Sequence, residues 1–237
     1  MCSVGSLAKR LQSGCIHLYL YHDETFRLPS ISAAVATYSP EKYVWRVLIG
    51  FHIGPRFMFG LAFRNYLLHS PLRPLTNVLR FKIMCYLAWV LNAFELFFLL
   101  FLTSVSSVED HELHKVGFIG FEVCATTFMI LSTFLFHYSG RRRATSMGER
   151  SYEYKVLASG VSVIAIFTAC YLYYRHNTYC EPGIYTLFAI AEYTVVLANI
   201  FYHATLCYDF HGKSVSISSV TGSGGYSFLP TQIEKDT

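Results

Sequence analysis

Apolar residues gather along this chain into five long blocks, 47–68, 83–105, 116–138, 156–174 and 183–206. A hydrocarbon core about 30 Å thick needs about 20 mostly apolar residues in a helix, and each block reaches that length. Any one of them alone would suit the buried core of a soluble protein. Five in succession predict an all-α, polytopic transmembrane helical bundle. The connections 69–82, 106–115, 139–155 and 175–182 are too short to hold an extramembrane catalytic domain. Chemistry is therefore expected at a membrane surface or between helices. Residues 1–46 form an N-terminal segment before the bundle. Residues 207–237, rich in Ser and Gly from Ser214, read as a disordered tail, because they have too little apolar surface to offset the entropy of ordering.

Composition sharpens the class. Hydrophobic residues make up 53% of the chain and charged residues only 14%, against about 25% charged in soluble proteins. The net charge of +4 is not gathered into a basic surface interleaved with aromatics, so nucleic acid is set aside as a partner. Seven scattered cysteines make no disulfide framework. Cys85, Cys124 and Cys170 fall inside apolar blocks, where a thiol packs as a small hydrophobe. Without CxxC or paired Cys/His spacing, neither a zinc site nor a cofactor motif is predicted. The apolar run 15–21 is too short for the core of a cleavable signal.

Lys and Arg near the span ends set orientation, since basic connections stay on the cytosolic side. Arg73, Arg80 and Lys82 lie in one connection, and Arg141, Arg142, Arg143, Arg150 and Lys155 in another. Only Lys115 and Arg175 occupy the two connections opposite. The count places the C-terminus in the cytosol and 106–115 and 175–182 in the lumen or exterior. The first 46 residues would then have to cross with their own basic residues, as though a span were missing there.

Ionisable groups inside a span cost several kcal/mol unless paired or hydrated, so each marks either polar glue between helices or a site. Arg56 lies nine residues past Val47, about 14 Å along a helix rising 1.5 Å per residue. It shares a face with His52 and needs an anion, for which Glu95 and Glu192 stand at similar depth. Asn92 and Glu95 share one face, as do Glu192, Asn199 and His203. At the surface, the string 106–114 sets Glu109 and Asp110 beside His111 and His114, a pattern that suits either a base with its orienting carboxylate or a solvated acidic loop. The string 175–183 sets Arg175, His176 and Glu181 together at the membrane boundary, as a reactive cluster or as an interface anchor with a turn at 182–183.

Several long strings then resemble one family. Tyr43-Val44-Trp45-Arg46, Ile49-Gly50-Phe51-His52, Pro55-Arg56-Phe57, the run 175–181 and the run 185–197 occur in the order found in post-GPI attachment to proteins factor 2. Ser107, Glu109, Asp110 and His114 fit that family's short lumenal loop, and 28–32 the segment after its first span. The resemblance covers roughly residues 28–209. It implies a multi-pass protein of the Golgi and endoplasmic-reticulum membrane, acting in fatty-acid remodelling of GPI anchors, where a lyso-GPI intermediate is reacylated with a saturated chain. It also implies a first span before Leu28, of which 15–21 would be the remnant in a shortened chain, and a lumenal cysteine upstream of Leu28 to pair with Cys180, which is missing here.

On this reading the partners are GPI-anchored proteins or the lyso-GPI lipid, with membrane lipids around them and the acyl donor left open. The glycan would lie on the lumenal side and the tail between helices. Arg46 and Arg175 would hold the inositol phosphate, with Arg56, Glu192 and Glu181 as further substrate-binding candidates. His114 or His176 would be the base for the glycerol hydroxyl, oriented by Glu109 or Asp110. A lipid-binding or scaffold subunit without catalysis is the alternative. A transporter using Arg56, Glu95 and Glu192 as its pathway is a third class.

Overall fold

In this chain the greasy side chains face outward. Phe94, Phe97, Ile130, Phe134, Ile164, Phe167, Leu197 and Ile200 are exposed, while Arg56, Asn92, Glu95, Glu122, Lys155, Glu192, Asn199 and Asp209 are buried. Such an inverted pattern is stable only where the surroundings are apolar, so that outer side chains have no reason to hide and backbone groups must be satisfied within helices. The computed structural model describes residues 28–37, 39–70, 74, 77–179, 181 and 183–213. Expectations for 1–27, Cys180 and 214–237 lie outside them.

The described residues are mostly helical. They form α1 (Ile31–Thr37), α2 (Glu41–Leu68), α3 (Val78–Ser104), α4 (His111–Tyr138), a 3-10 turn (Arg141–Arg143), α5 (Ser146–Tyr179), α6 (Ile184–Ala204) and α7 (Leu206–Asp209). Four stretches are long and apolar enough to cross a membrane: Val78–Ser104, His111–Tyr138, Ser146–Tyr179 and Ile184–Asp209. The fifth expected span, 47–68, lies inside α2. That helix has 28 residues, but His52, Pro55, Arg56 and Arg64 dilute the apolar character of the block, and the helix is not among those four. Long helices exceed the apolar blocks because their polar ends stay helical beyond the hydrocarbon region.

Turns are set by a few residues. Asn77 precedes α3 at φ 61°, and Gly140 and Gly183 take φ of 77° and 80° after α4 and before α6. Only glycine holds that left-handed backbone without cost. The turn expected at 182–183 thus has its glycine at the start of α6. Neighbouring helices pair in order, α2 on α3, α3 on α4 and α5 on α6, with α1 lying across α2 and α6. Gly117 and Gly120 bring α4 close to α3, since an added Cβ would meet the Phe101 ring at 2.8 Å and the Phe98 ring at 2.6 Å. Small residues are what permit such approach between membrane helices.

The larger apolar core, with Phe63, Leu67, Phe81, Met129, Leu135 and Phe136, occupies the half of the bundle nearer the Arg141–Arg143 turn. A smaller one, Leu99, Phe121 and Ala125, lies toward the opposite end. At the basic end Arg141 donates to the Tyr66 carbonyl at 2.9 Å, and Arg142 pairs with Glu149 at 2.5 Å. The start of α5 rests on this turn through Gly148, where a Cβ would stand 2.5 Å from the Arg141 carbonyl oxygen. That neighbour is backbone and cannot swing aside. Gly148→Ala is expected to lose about 1–3 kcal/mol of stability, read as a lower unfolding midpoint in detergent.

Two expectations are corrected here. Lys155, assigned to a cytosolic connection, is 1% exposed and pairs with Asp209 at 2.7 Å. Its ammonium also donates to Ser151 at 2.6 Å and Thr205 at 2.7 Å. Residues 207–213, assigned to the disordered tail, belong to the bundle, because Asp209 at the end of α7 is the counter-ion that a buried ammonium requires.

Candidate functional site

Two polar clusters occupy the bundle. The deeper one joins α2, α3 and α6. Arg56 forms a buried ion pair with Glu95 and donates to Asn199 Oδ1 at 3.0 Å. Asn199 in turn donates to Glu95 Oε1 at 2.8 Å, and His203 Nε2 stands 3.5 Å from the same oxygen. The anion that Arg56 needed is therefore Glu95. A cavity of about 10 Å³ among Arg56, Asn92 and His203 is the size of one water. Glu122 on α4 is buried with neither carboxyl oxygen hydrogen-bonded among the described residues. The sequence reading did not single it out.

Glu192 takes no part in that cluster. It meets Ser32 on α1 instead, with Oε1 3.4 Å from Ser32 Oγ and 3.5 Å from Ser32 N. Ser32 brings in the second cluster, at the end of the bundle that holds residues 105–110 and Gly183. There His114, in the first turn of α4, places Nε2 3.0 Å from Ser32 Oγ and Nδ1 2.7 Å from the Val105 carbonyl oxygen. A carbonyl only accepts, so Nδ1 bears a proton, and in the neutral ring it is the Nε2 lone pair that meets the serine hydroxyl. A cavity of about 30 Å³ adjoins both residues, lined also by Lys42, Trp45, Arg46 and Ser107.

Glu109 and Asp110 do not orient His114. Glu109 accepts from Ser106 N at 3.1 Å and lies 3.8 Å from Arg46. Asp110 caps α4, accepting from Leu113 N at 2.9 Å, as short acidic residues do at a helix start. Arg46 also donates to the Ser104 carbonyl at 3.3 Å and so closes one side of the cavity. Arg175 is ion-paired with Glu181 and donates to Tyr171 OH at 3.3 Å. The His176 ring packs on Tyr185 at 5.4 Å between centroids. Tyr185 OH donates to Ser30 Oγ at 3.2 Å, so the 175–181 string reaches the α1 segment through that tyrosine. Ser30 and Ser32 lay inside the recognised string 28–32, yet no spacing ties either to a histidine more than eighty residues away. No group of His, Cys, Asp and Glu among the described residues could hold a metal ion.

Fold and site together define a polytopic helical membrane protein, apolar outside and polar within, with a serine–histidine pair at one end beside a small basic cavity. Residues 8–213 match the Frag1/DRAM/Sfk1/Cwh43P N-terminal domain. The sequence is 62% identical over 210 residues to post-GPI attachment to proteins factor 2 of Caenorhabditis briggsae, covering 89% of this chain and 80% of that protein. The Caenorhabditis elegans protein of the same name is 61% identical over the same length, with the same coverage. A Xenopus tropicalis protein named acyltransferase PGAP2 is 38% identical over 193 residues, covering 81% of this chain and 75% of that one. No solved structure matches. The chain belongs to the post-GPI attachment to proteins factor 2 family and carries its Frag1/DRAM/Sfk1/Cwh43P domain.

Proposed function

We propose that this protein acts in the maturation of GPI anchors by reacylating a lyso-GPI intermediate with a saturated chain, at the lumenal face of the Golgi membrane, with its C-terminus in the cytosol. One relative's printed name is that of an acyltransferase. The observation that carries the reading is the fixed imidazole of His114, whose Nε2 lone pair faces a hydroxyl at the rim of a cavity lined by Lys42 and Arg46. A base held in one tautomer is what removal of an alcohol proton during acyl transfer requires. The two cations suit a phosphorylated headgroup. Arg175 with Glu181, and His176 with Tyr185, border the same end and would meet the glycan.

Purified protein in lipid nanodiscs, given lyso-GPI and a stearoyl donor, is expected to yield the diacyl product. A folded protein that gives none with either a thioester or a phospholipid donor would overturn catalysis and favour a lipid-binding scaffold. Should flux through reconstituted vesicles appear and vanish with Glu192→Gln, a transporter would replace both.

A further inference from the structure

Among acyl-transfer sites, two designs differ in the atom that first receives the acyl group. In a direct transfer the base activates the acceptor alcohol alone, and no protein hydroxyl need stand at its nitrogen. In a two-step transfer a protein nucleophile is already hydrogen-bonded to the base. Here the lone pair of His114 Nε2 is not free toward the cavity. Ser32 Oγ stands 3.0 Å from that nitrogen, and the single hydroxyl proton has the nitrogen and, at 3.4 Å, Glu192 Oε1 as its two acceptors. The opposite ring nitrogen is locked on the Val105 carbonyl at 2.7 Å, so the ring cannot exchange tautomers without losing that bond. Glu192 Oε1, 3.4 Å from the same hydroxyl and 3.5 Å from the Ser32 amide, flanks the serine on another side. Ser32 is half-buried and lines the cavity together with His114 and Arg46.

We infer that Ser32 is an acyl-accepting nucleophile, activated by His114, that carries the fatty acyl group as an ester before it passes to the acceptor. The inference rests on the acyl-transfer reading above and names its covalent intermediate. In the first step His114 Nε2 takes the Ser32 proton, and Oγ attacks the carbonyl carbon of an acyl thioester or acyl phospholipid. The bond to the donor's sulfur or oxygen breaks, and the imidazolium returns its proton to that leaving group. In the second step Nε2 takes the proton of the lyso-lipid hydroxyl, whose oxygen attacks the seryl ester. The ester bond to Oγ breaks and the proton goes back to Ser32. Nothing is oxidised or reduced, and the chain ends as it began. Arg46 and Lys42 border the cavity, where positive charge offsets the negative oxygen of each tetrahedral stage. At about 30 Å³ that space takes a carbonyl group, not a whole lipid, so the chain would remain in the bilayer.

The test uses the full chain in nanodiscs. First, stearoyl-CoA or a distearoyl phosphatidylcholine is supplied without acceptor, and peptides are read by mass spectrometry. A hydroxylamine-sensitive stearoyl ester on the Ser32 peptide is expected with one of the two, which identifies the donor class. Adding lyso-GPI should discharge it. A fluorophosphonate probe should label the same peptide, and labelling should disappear with His114→Ala. Ser32→Ala is expected to lower turnover by at least about 100-fold at an unchanged melting temperature, while Ser32→Cys should still take up the acyl group, as a thioester. Should Ser32→Ala unfold, the adduct and the cysteine variant still decide. Wild-type turnover by a folded Ser32→Ala would overturn the nucleophile and leave reacylation standing. A dischargeable adduct with some other alcohol, and none with lyso-GPI, would keep the nucleophile and overturn the acceptor. No adduct and no labelling, in protein that reacylates lyso-GPI, would show a direct transfer and overturn the inference.

Discussion

His114→Ala is expected to lower acyl transfer by about 10²- to 10⁴-fold, the range over which a positioned general base contributes. The loss should fall on kcat and leave KM for the lyso-lipid near its wild-type value, because the ring touches a hydroxyl and a backbone carbonyl and no charged part of a headgroup. Asp110→Ala provides the contrast. Removing that cap should cost about 1 kcal/mol of helix stability while turnover per folded molecule stays close to normal, since its carboxylate serves Leu113 N and not the imidazole. Steady-state kinetics alongside thermal melting separates the two. If Asp110→Ala were as damaging to kcat as His114→Ala at an unaltered melting point, the carboxylate would be part of the reaction and the Val105 carbonyl would not be the orienting group.

Glu95→Ala is expected to be among the most destabilising single changes in the described residues. It would leave Arg56, only 7% exposed, as an unpaired cation in the interior and take from Asn199 its acceptor at 2.8 Å. Breaking one side of a buried pair costs about 3–5 kcal/mol. Replacing both partners by apolar side chains of similar length costs far less, because no orphaned charge remains. The double variant Arg56→Met with Glu95→Met should therefore recover most of what Glu95→Ala loses. Thermal unfolding of wild type, Arg56→Met, Glu95→Met and the double variant in one detergent measures the coupling. A Glu95→Ala penalty below about 1 kcal/mol would mean that water reaches the pair and that it is not sealed between helices.

What the sequence disclosed follows from the range of the forces involved. The apolar blocks were legible because hydrophobic length is a local property, and α3, α4 and α6 follow their blocks closely. Block 47–68 was less so. Its helix starts at Glu41, and its charges serve partners on other helices. Lys155 was misplaced for the same reason. Its counter-ion, Asp209, stands 54 residues away, and from spacing alone a lysine at the edge of an apolar block looks like a topology signal. At the site, His114 was legible through its neighbours in a known string. Its partners were not, since Val105 looks like any other valine until its carbonyl is seen, and Ser32 comes from a separate short helix. The carboxylates drew the eye because they were adjacent, yet adjacency in a helix start serves the backbone first.

Gly117 gives the reactive end its calibration. One turn before it on α4 stands His114, and one turn beyond Phe101, just past the end of α3, stands Val105, so the helix spacing that leaves a Cβ only 2.8 Å from the Phe101 ring is set beside the bond between the imidazole and that carbonyl. Bulk at that glycine would wedge the two helices apart one turn from the imidazole, loosening its bond to the Val105 carbonyl and freeing the ring to swap its proton between nitrogens. In the other tautomer the ring would offer the serine an N–H where it needs an acceptor. A missing methyl group thus lets α4 sit close against α3 one turn from His114.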